Sequence, residues 1–371
     1  MKVGDKLKKL IFFANDMGYG GIESSLVNLL DNINYDKYDV TLVLEHKRGV
    51  FLDKINSKVH VKEYRISDCK FVLLRKIYNF SKRFFWTLIN KNKYDFSCCY
   101  ATYSLMGSKL SKIASSNSSI YIHGDYANMY SKNDLLDFFQ KREINKFNSI
   151  IFVSNESKNN LLKIFPSLSN KAYVINNFID NKKIIRLSNE NIDIQKKHDI
   201  LFVFVGRLEE DSKRISRMLK LVNALKSEYS LELWIVGDGP DRKFYENYVS
   251  TYKLEDNIKF VGAKKNPYPY MKKADFILLS SEYEGFPVIY LESIVLNKKI
   301  ITTIDVTDDY ISIPNKVGYI VSKDADKFID DVKNVLKNDK LEYKKIDFES
   351  LSKQKKSQLE KIFDGVKNEK I

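Results

Sequence analysis

Residues 276–292 read FILLSSEYEGFPVIYLE, and this stretch contains the local pattern on which the fold prediction rests. Phe276–Leu279 is a short apolar run, typical of a parallel strand that is buried on both faces. Pro287 suits the first turn of a helix, where its missing N–H costs nothing. The stretch therefore predicts a strand, a polar loop and a helix, which is the repeating unit of an α/β protein.

Two carboxylates flank the predicted helix start. Glu284 lies in the loop, and Glu292 lies about a turn and a half inside the helix. Unpaired backbone N–H groups at a helix start attract phosphate, and those predicted here belong to Gly285, Phe286 and Val288. Carboxylates repel phosphate but accept hydrogen bonds from sugar hydroxyls. The alternative is an ordinary strand–loop–helix turn with capping acids.

The strand–loop–helix pattern recurs along the chain and is interrupted by a polar stretch at 180–199, which we predict to be an interdomain linker. We predict two Rossmann-like domains, an N-terminal one at 1–180 and a C-terminal one at 181–345. A helical segment at 346–371 is expected to pack back on the first domain. Predicted strands are 9–14, 39–44, 59–64, 95–99, 120–123, 150–153, 201–205, 233–236, 258–261, 276–279, 299–303 and 318–321. Ligands of such sheets bind at the carboxyl ends of the strands, so a cleft between two domains is expected there.

The second unit has basic residues directly after its first strand. Arg207 and Lys213 are cations that could bind an anionic ligand at the carboxyl end of this strand, and Arg214 could share the role. A surface loop with unrelated basic residues is the alternative. Gly237 stands in the turn Gly-Asp-Gly-Pro after the next strand, which alone indicates only a tight turn.

The first unit has a glycine loop, Gly18-Tyr19-Gly20-Gly21, after its first strand. It is not a full G-x-G-x-x-G, so no dinucleotide site is predicted. His123 ends another strand. A single histidine there is usually structural.

The chain resembles the retaining glycosyltransferases of family 4, which have the GT-B fold. The resemblance rests on Glu284-Gly-Phe-Pro-Val-Ile-Tyr-Leu-Glu292 and on the loop from Arg207 to Lys213. The resemblance implies that domain 1–180 binds the acceptor and that domain 181–345 binds the nucleotide sugar, whose diphosphate Arg207 and Lys213 neutralise. It implies that Glu284 meets the transferred sugar and Glu292 the ribose. It also implies that the donor, a UDP-sugar by expectation, contacts further residues: Gly20, Gly21, Gly237, Gly285, Phe286 and Val288. His123 and Glu284 are the catalytic candidates, and the acceptor is expected to be a glycan or lipid-linked sugar of bacterial surface polysaccharide.

No metal and no cofactor are expected. Asp324-Ala325-Asp326 has the form of a metal-binding pair, but Asp324 suits a helix N-cap better. Two alternatives stay open: a sugar-nucleotide epimerase of the same fold, and a non-catalytic protein that binds a membrane or a nucleotide.

The net charge of +14 and the three cysteines limit the partners and the compartment. The charge favours anionic partners, although lysine-rich composition alone could produce it. No nucleic-acid motif is present, and the cysteine pattern favours a reducing compartment, so we predict a cytoplasmic protein. Residues 71–89 are predicted to form an amphipathic helix with an apolar side and a basic side. Either its apolar side packs inward on the sheet and its basic residues lie in water, or the helix is peripheral on a membrane. In the membrane hypothesis its polar face meets anionic headgroups through Arg75, Lys76, Lys82, Arg83 and Trp86.

Overall fold

The computed structural model describes residues 6–18, 20–305, 317–341 and 347–366. The chain divides into two compact units. Unit 1 comprises Met1–Phe178 and Glu349–Ile371, and unit 2 comprises Ile179–Phe348. The predicted domain end at 345/346 falls at the edge of 342–346, which lies outside the described residues.

Unit 1 contains a parallel sheet with the strand order β3-β2-β1-β4-β5-β6-β7 in the described part of the chain. Its strands are β1 (Lys8–Ala14), β2 (Tyr38–Leu44), β3 (His60–Glu63), β4 (Phe96–Cys99), β5 (Ser118–Ile122), β6 (Ser149–Phe152) and β7 (Ala172–Val174). Its first helices are α1 (Gly21–Asp31), α2 (Val72–Asn90), α3 (Leu105–Ala114), α4 (Tyr126–Met129), α5 (Lys132–Lys141) and α6 (Asn155–Ile164). The apolar run Leu10–Phe13 is buried because β1 is a central strand.

Unit 2 contains a second parallel sheet with the order β10-β9-β8-β11-β12-β13, again for the described residues. Its strands are β8 (Ile200–Val205), β9 (Leu231–Val236), β10 (Ile258–Phe260), β11 (Phe276–Leu279), β12 (Lys299–Thr302) and β13 (Gly318–Ile320). Its helices are α7 (Asn181–Leu187), α8 (Glu210–Lys213), α9 (Ile215–Leu225), α10 (Arg242–Thr251), α11 (Tyr268–Lys273), α12 (Val288–Val295) and α13 (Ala325–Asn338). In this sheet β8 and β11 are neighbours, which brings the loops after them together.

The last helix, α14 (Phe348–Phe363), packs on unit 1. The ring centroid of Phe363 lies 6.0 Å from Phe12, 5.5 Å from Tyr38 and 4.7 Å from Phe96. The buried ammonium of Lys355 donates to the carbonyl of Asn177 at 3.1 Å. These contacts make α14 part of the core of unit 1.

All twelve predicted strands are confirmed within two residues at each end. The short strand β7 was not predicted. The predicted linker at 180–199 is partly wrong, because 181–187 form α7 and the Asp180 carboxylate accepts from the N–H of Lys183 at 2.9 Å as its N-cap. Asp324 caps α13 as predicted, accepting from the N–H of Lys327 at 3.0 Å.

Candidate functional site

The loops after β8 and β11 meet in unit 2 through an ion pair. Lys213 Nζ lies 2.5 Å from Glu284 Oε1, with 23% and 16% of the two side chains exposed. The Ser281 hydroxyl donates to the same carboxylate oxygen at 2.7 Å. The structure thus brings together Lys213 and Glu284, which were predicted as site residues in two different motifs. A cation and a hydrogen-bonding carboxylate therefore stand side by side at the carboxyl edge of the sheet.

The segment after Lys213 is fixed by further polar contacts. The Ser280 hydroxyl donates to the carbonyl of Arg214 at 2.8 Å, and Arg214 has a positive φ of 48°. Arg217 donates to Glu282 at 2.7 Å, whereas Nε of Arg214 lies 3.6 Å from the same carboxylate. Partial burial opposes ionisation, but the hydrogen bond and charge of Arg217 hold the pKa of Glu282 below its ordinary value. Arg214 and Arg217 therefore position this loop.

Glu292 is buried inside α12. The Tyr268 hydroxyl donates to its Oε1 at 3.0 Å. Burial raises the pKa of Glu292 to about 7, and the hydrogen bond from Tyr268 opposes that shift. Sequence reasoning missed Tyr268, because a tyrosine after Asn-Pro carries no signal of a distant partner.

The start of α12 differs by one position from the prediction. Pro287 is the N-cap, with φ −64° and ψ 118°, and the helix begins at Val288. No described side chain caps this end. Phe286 is buried, and Gly285 is half-buried beside Glu284. Arg207 is exposed in the loop that joins β8 to α8, at the same edge of the sheet.

Gly237 is required by the packing of the chain. A Cβ atom there would lie 1.8 Å from the carbonyl oxygen of Gly206, and its φ is 158°. Its N–H donates to the carbonyl of Gly262 at 3.0 Å. The glycine therefore holds two loops against each other, while its predicted contact with a donor stays a prediction.

Gly20 and Gly21 open α1 in unit 1, and Tyr19 lies outside the described residues. A Cβ on Gly20, the N-cap, would lie 2.1 Å from Oε2 of Glu23, whereas a Cβ on Gly21 would meet nothing within 4 Å. The Tyr103 hydroxyl donates to Glu23 Oε1 at 3.0 Å. The helix start is thus partly occupied by its own Glu23.

His123 follows β5 and stacks on Tyr121, with ring centroids 5.1 Å apart, while Tyr100 lies at 4.5 Å. Its Nε2 is buried and has no hydrogen-bond partner among the described residues. Burial lowers the pKa of His123 to about 3, so the imidazole is neutral near pH 7. A neutral ring with an unpaired nitrogen can bond a hydroxyl group but is a weak base.

The predicted orientation of α2 is wrong. The Trp86 ring packs inward, with its centroid 6.0 Å from Phe13 and 6.2 Å from Tyr64. Lys82 Nζ donates to the carbonyl of Arg65 at 2.8 Å. Thus neither Trp86 nor Lys82 projects outward, Arg75 is half-buried, and only Lys76 and Arg83 of the predicted basic face are exposed.

Comparisons with known proteins agree with this architecture. Residues 188–348 match the model of the family "Glycosyl transferases group 1". An uncharacterized glycosyltransferase of Methanocaldococcus jannaschii, MJ1059, is 27% identical over 47% of this chain and 44% of its own length. The N-acetylgalactosamine-N,N'-diacetylbacillosaminyl-diphospho-undecaprenol 4-alpha-N-acetylgalactosaminyltransferase of Campylobacter jejuni is 24% identical over 80% of this chain and 81% of its own.

Two solved structures share the fold of the whole chain. Anabaena Alr3699/HepE in complex with UDP and glucose superposes with a TM-score of 0.74, 14% identity and coverage of 95% of this chain and 99% of its own. The lipopolysaccharide outer core galactosyltransferase WaaB, in its apo form, superposes with a TM-score of 0.65 and 18% identity. This match covers 97% of this chain and 99% of the WaaB chain. The predicted class of two Rossmann-like units of the GT-B type is therefore confirmed. The matched family lies within unit 2, and together with the relatives it supports a glycosyltransferase.

Neither a metal cluster nor a membrane span was found in the described part of the chain. Residues 6–18, 20–305, 317–341 and 347–366 contain no group of three His, Cys, Asp or Glu side chains placed for a metal ion. Within the same ranges, no helix combines the length and apolar character needed to cross a bilayer.

Proposed function

We propose that this chain is a retaining glycosyltransferase of family 4 that moves a sugar from a UDP-sugar to a glycan or lipid-linked acceptor. We place the reaction in the synthesis of bacterial surface polysaccharide. The names of relatives support this role: one acts on a diphospho-undecaprenol sugar, and another, from Staphylococcus aureus, is a capsular polysaccharide biosynthesis glycosyltransferase, CapH. The UDP bound to Alr3699/HepE supports the choice of base.

The observation that carries the proposal is the pairing of Lys213 with Glu284 beside the start of α12. A leaving diphosphate needs fixed cations. We assign this role to Lys213, at the end of α8, and to Arg207, which is exposed in the loop before α8. The carboxylate that holds Lys213 in place is the one proposed to bind the sugar. One ion pair thus positions both binding functions before the donor arrives.

The other proposed roles belong to residues of both units. Glu292 accepts hydrogen bonds from ribose hydroxyls, and the helix start at Gly285–Val288 adds backbone donors to the phosphates. As in the resembling family, the acceptor hydroxyl attacks on the face of the leaving phosphate, whose oxygen takes up its proton. Neutral His123 orients a hydroxyl without ionising. Gly20, Gly21 and Gly237 keep their proposed contacts with the donor.

We propose that the reaction requires neither a metal nor a cofactor. We also propose that it takes place in the cytoplasm, at the inner face of the membrane. Arg207 and Lys213 take over the neutralisation that a divalent ion gives in other transferases. Turnover that persists in the presence of a chelator would support this, and loss restored by Mg²⁺ would contradict it.

The direct test is a panel of nucleotide sugars scored by release of nucleoside diphosphate, with and without diphospho-polyprenyl sugar acceptors. We expect slow hydrolysis of one UDP-sugar without acceptor and faster release with acceptor, with the anomeric configuration retained in the product. Glu284→Gln is the control that keeps the shape of the site. Interconversion of the donor sugar without transfer would instead favour an epimerase.

A further inference from the structure

The outer face of α2 is an unusually large exposed apolar surface. Half of the large apolar side chains that are exposed in the described chain fall in Phe71–Ile89, and each is 52–71% exposed. They are Phe71, Val72, Leu73, Leu74, Ile77, Tyr78, Phe80, Phe84, Phe85, Leu88 and Ile89. Contiguous apolar surface of this kind marks a contact with another molecule or a membrane.

The direction of this face is set by what packs beneath it. Asn79, Lys82 and Trp86 recur at helical spacing on the inner side, where Trp86 contacts Phe13 and Tyr64. Leu73, Ile77, Phe84 and Leu88 fall on the opposite side of the same helix. A helix that places its aliphatic and phenylalanine side chains outward does not use them to hold its own domain together.

The charges around the face point to an anionic partner. From Lys70 to Tyr94 the chain has seven basic residues and no acidic one. Of these, Lys76 and Arg83 are exposed along one flank of the apolar face. Two copies of this helix packed together would bring like charges into contact, which disfavours a second copy as the partner.

A pocket beside the helix continues this charge. It has a volume of about 500 Å³ and is lined by Arg83, Lys109, Lys112, Ile113, Glu143 and Lys146. Glu143 pairs with Lys112 at 2.8 Å and with Lys146. Arg83 and Lys109 have no ion-pair partner among the described residues, so the pocket keeps cations for a phosphate group.

We infer that the outer face of α2 docks unit 1 on a phospholipid bilayer with anionic headgroups. The apolar side chains enter the boundary of the acyl chains, Lys76 and Arg83 stay at the level of the headgroups, and the adjoining pocket receives a lipid phosphate. This differs from the surface expected from the sequence, in which the basic side and Trp86 met the membrane. The inference does not depend on the transfer reaction.

Flotation of the full chain with vesicles tests the inference. We compare phosphatidylcholine vesicles with vesicles that also contain phosphatidylglycerol. The variant Leu73→Ser/Ile77→Ser/Phe84→Ser should lose at least about tenfold in partition coefficient, because three large apolar side chains no longer enter the lipid. The matched control Ile185→Ser/Phe244→Ser/Tyr252→Ser removes exposed apolar groups of unit 2 and should float like the parent.

Two further measurements separate the face from its charges. Lys76→Ser/Arg83→Ser should weaken binding to the anionic vesicles and remove most of its dependence on salt. The fluorescence of a tryptophan introduced by Phe84→Trp should shift to the blue on addition of vesicles and be quenched by brominated lipid. The fluorescence of the Phe244→Trp variant should show neither change. UDP binding by calorimetry and the thermal midpoint check that each variant is folded, so a failed fold is not read as a lost contact.

Several results would overturn the inference. Equal flotation of the parent and the triple serine variant would do so, as would no binding of the parent to either vesicle. A parent that is dimeric by light scattering, ignores lipid and becomes monomeric in the triple serine variant would assign the face to a second copy. Loss of donor hydrolysis with lipid binding intact would argue against the proposed function and leave this surface assigned.

Discussion

The sharpest test of the site is to remove the charge of Lys213 with Lys213→Met. Methionine keeps much of the length and volume of the side chain, so the change removes the 2.5 Å contact with Glu284 and little packing. Glu284 is then left mostly buried and without its counter-ion, and among the described residues only the Ser281 hydroxyl still donates a hydrogen bond to it. Both the stability of unit 2 and its affinity for a diphosphate should therefore fall.

The size of each effect follows from the exposure of the pair. With 23% and 16% of the side chains exposed, the pair lies between a surface ion pair and a fully buried one. We expect a loss of roughly 2 kcal/mol in the free energy of unfolding. We expect UDP affinity to fall by roughly 1.5–3 kcal/mol, or about ten- to a hundredfold, as for one charge-assisted hydrogen bond.

Glu284→Gln should affect UDP affinity in the opposite direction to Lys213→Met. Removing this carboxylate takes a negative charge away from a phosphate site and releases Lys213 from its partner. UDP affinity should be unchanged or higher, while turnover of the donor sugar falls. The double variant Lys213→Met/Glu284→Gln should unfold less easily than Lys213→Met alone, because no unpaired charge remains.

Calorimetry measures the affinity for UDP, and denaturant unfolding measures stability. Both are applied to the parent, the two single variants and the double variant. UDP affinity within threefold of the parent in Lys213→Met would refute the placement of the diphosphate against Lys213. Weaker UDP binding in Glu284→Gln would show that this carboxylate meets the nucleotide rather than the sugar.

Three further predictions concern the scaffold. Burial raises the pKa of Glu292 from 4.5 to about 7. Between pH 4.5 and about 7, the folded chain therefore keeps a proton on Glu292 that the unfolded chain has released. The free energy of unfolding should fall by on the order of 3 kcal/mol between those pH values and level off above them, and Glu292→Gln should remove this part of the decline in a denaturant series. Gly237→Ala should lower the free energy of unfolding by about 2 kcal/mol or more, because a Cβ atom there meets the backbone of Gly206. Gly21→Ala has open space around it and should be neutral or stabilising in thermal unfolding. Weaker donor binding in Gly21→Ala would therefore indicate a lost contact with the ligand. Phe363→Ala should cost about 3–5 kcal/mol in denaturant unfolding, while the exposed Val366→Ala should match the parent.

The strand–loop–helix of unit 2 was predictable because its signals are local. The apolar run Phe276–Leu279, the proline and the glycine each act within a few residues. The contact of Lys213 with Glu284 needs in addition the adjacency of β8 and β11, which a doubly wound sheet implies but a single motif does not. Tyr268 needs the placement of α11 against α12, for which the sequence has no pattern.

The failure at α2 has a different cause. An amphipathic period reports that a helix has two unlike sides, but not which side meets the rest of the protein. We expected the aliphatic side to pack inward or the basic side to meet a membrane. Instead Trp86 supplies the inner contact, as an aromatic among polar neighbours can. The short strand β7 was missed because three residues at the edge of a sheet show no periodicity.

The chain enters unit 2 after Phe178 and returns to unit 1 at Glu349. During synthesis, the sheet of unit 1 therefore leaves the ribosome long before the helix that supplies Phe363 to its core. Unit 2 is continuous and can complete its fold while unit 1 still exposes apolar surface around Phe12, Tyr38 and Phe96. The part of the protein that is made first is thus the part that is finished last, and a nascent chain stalled before α14 should recruit chaperones.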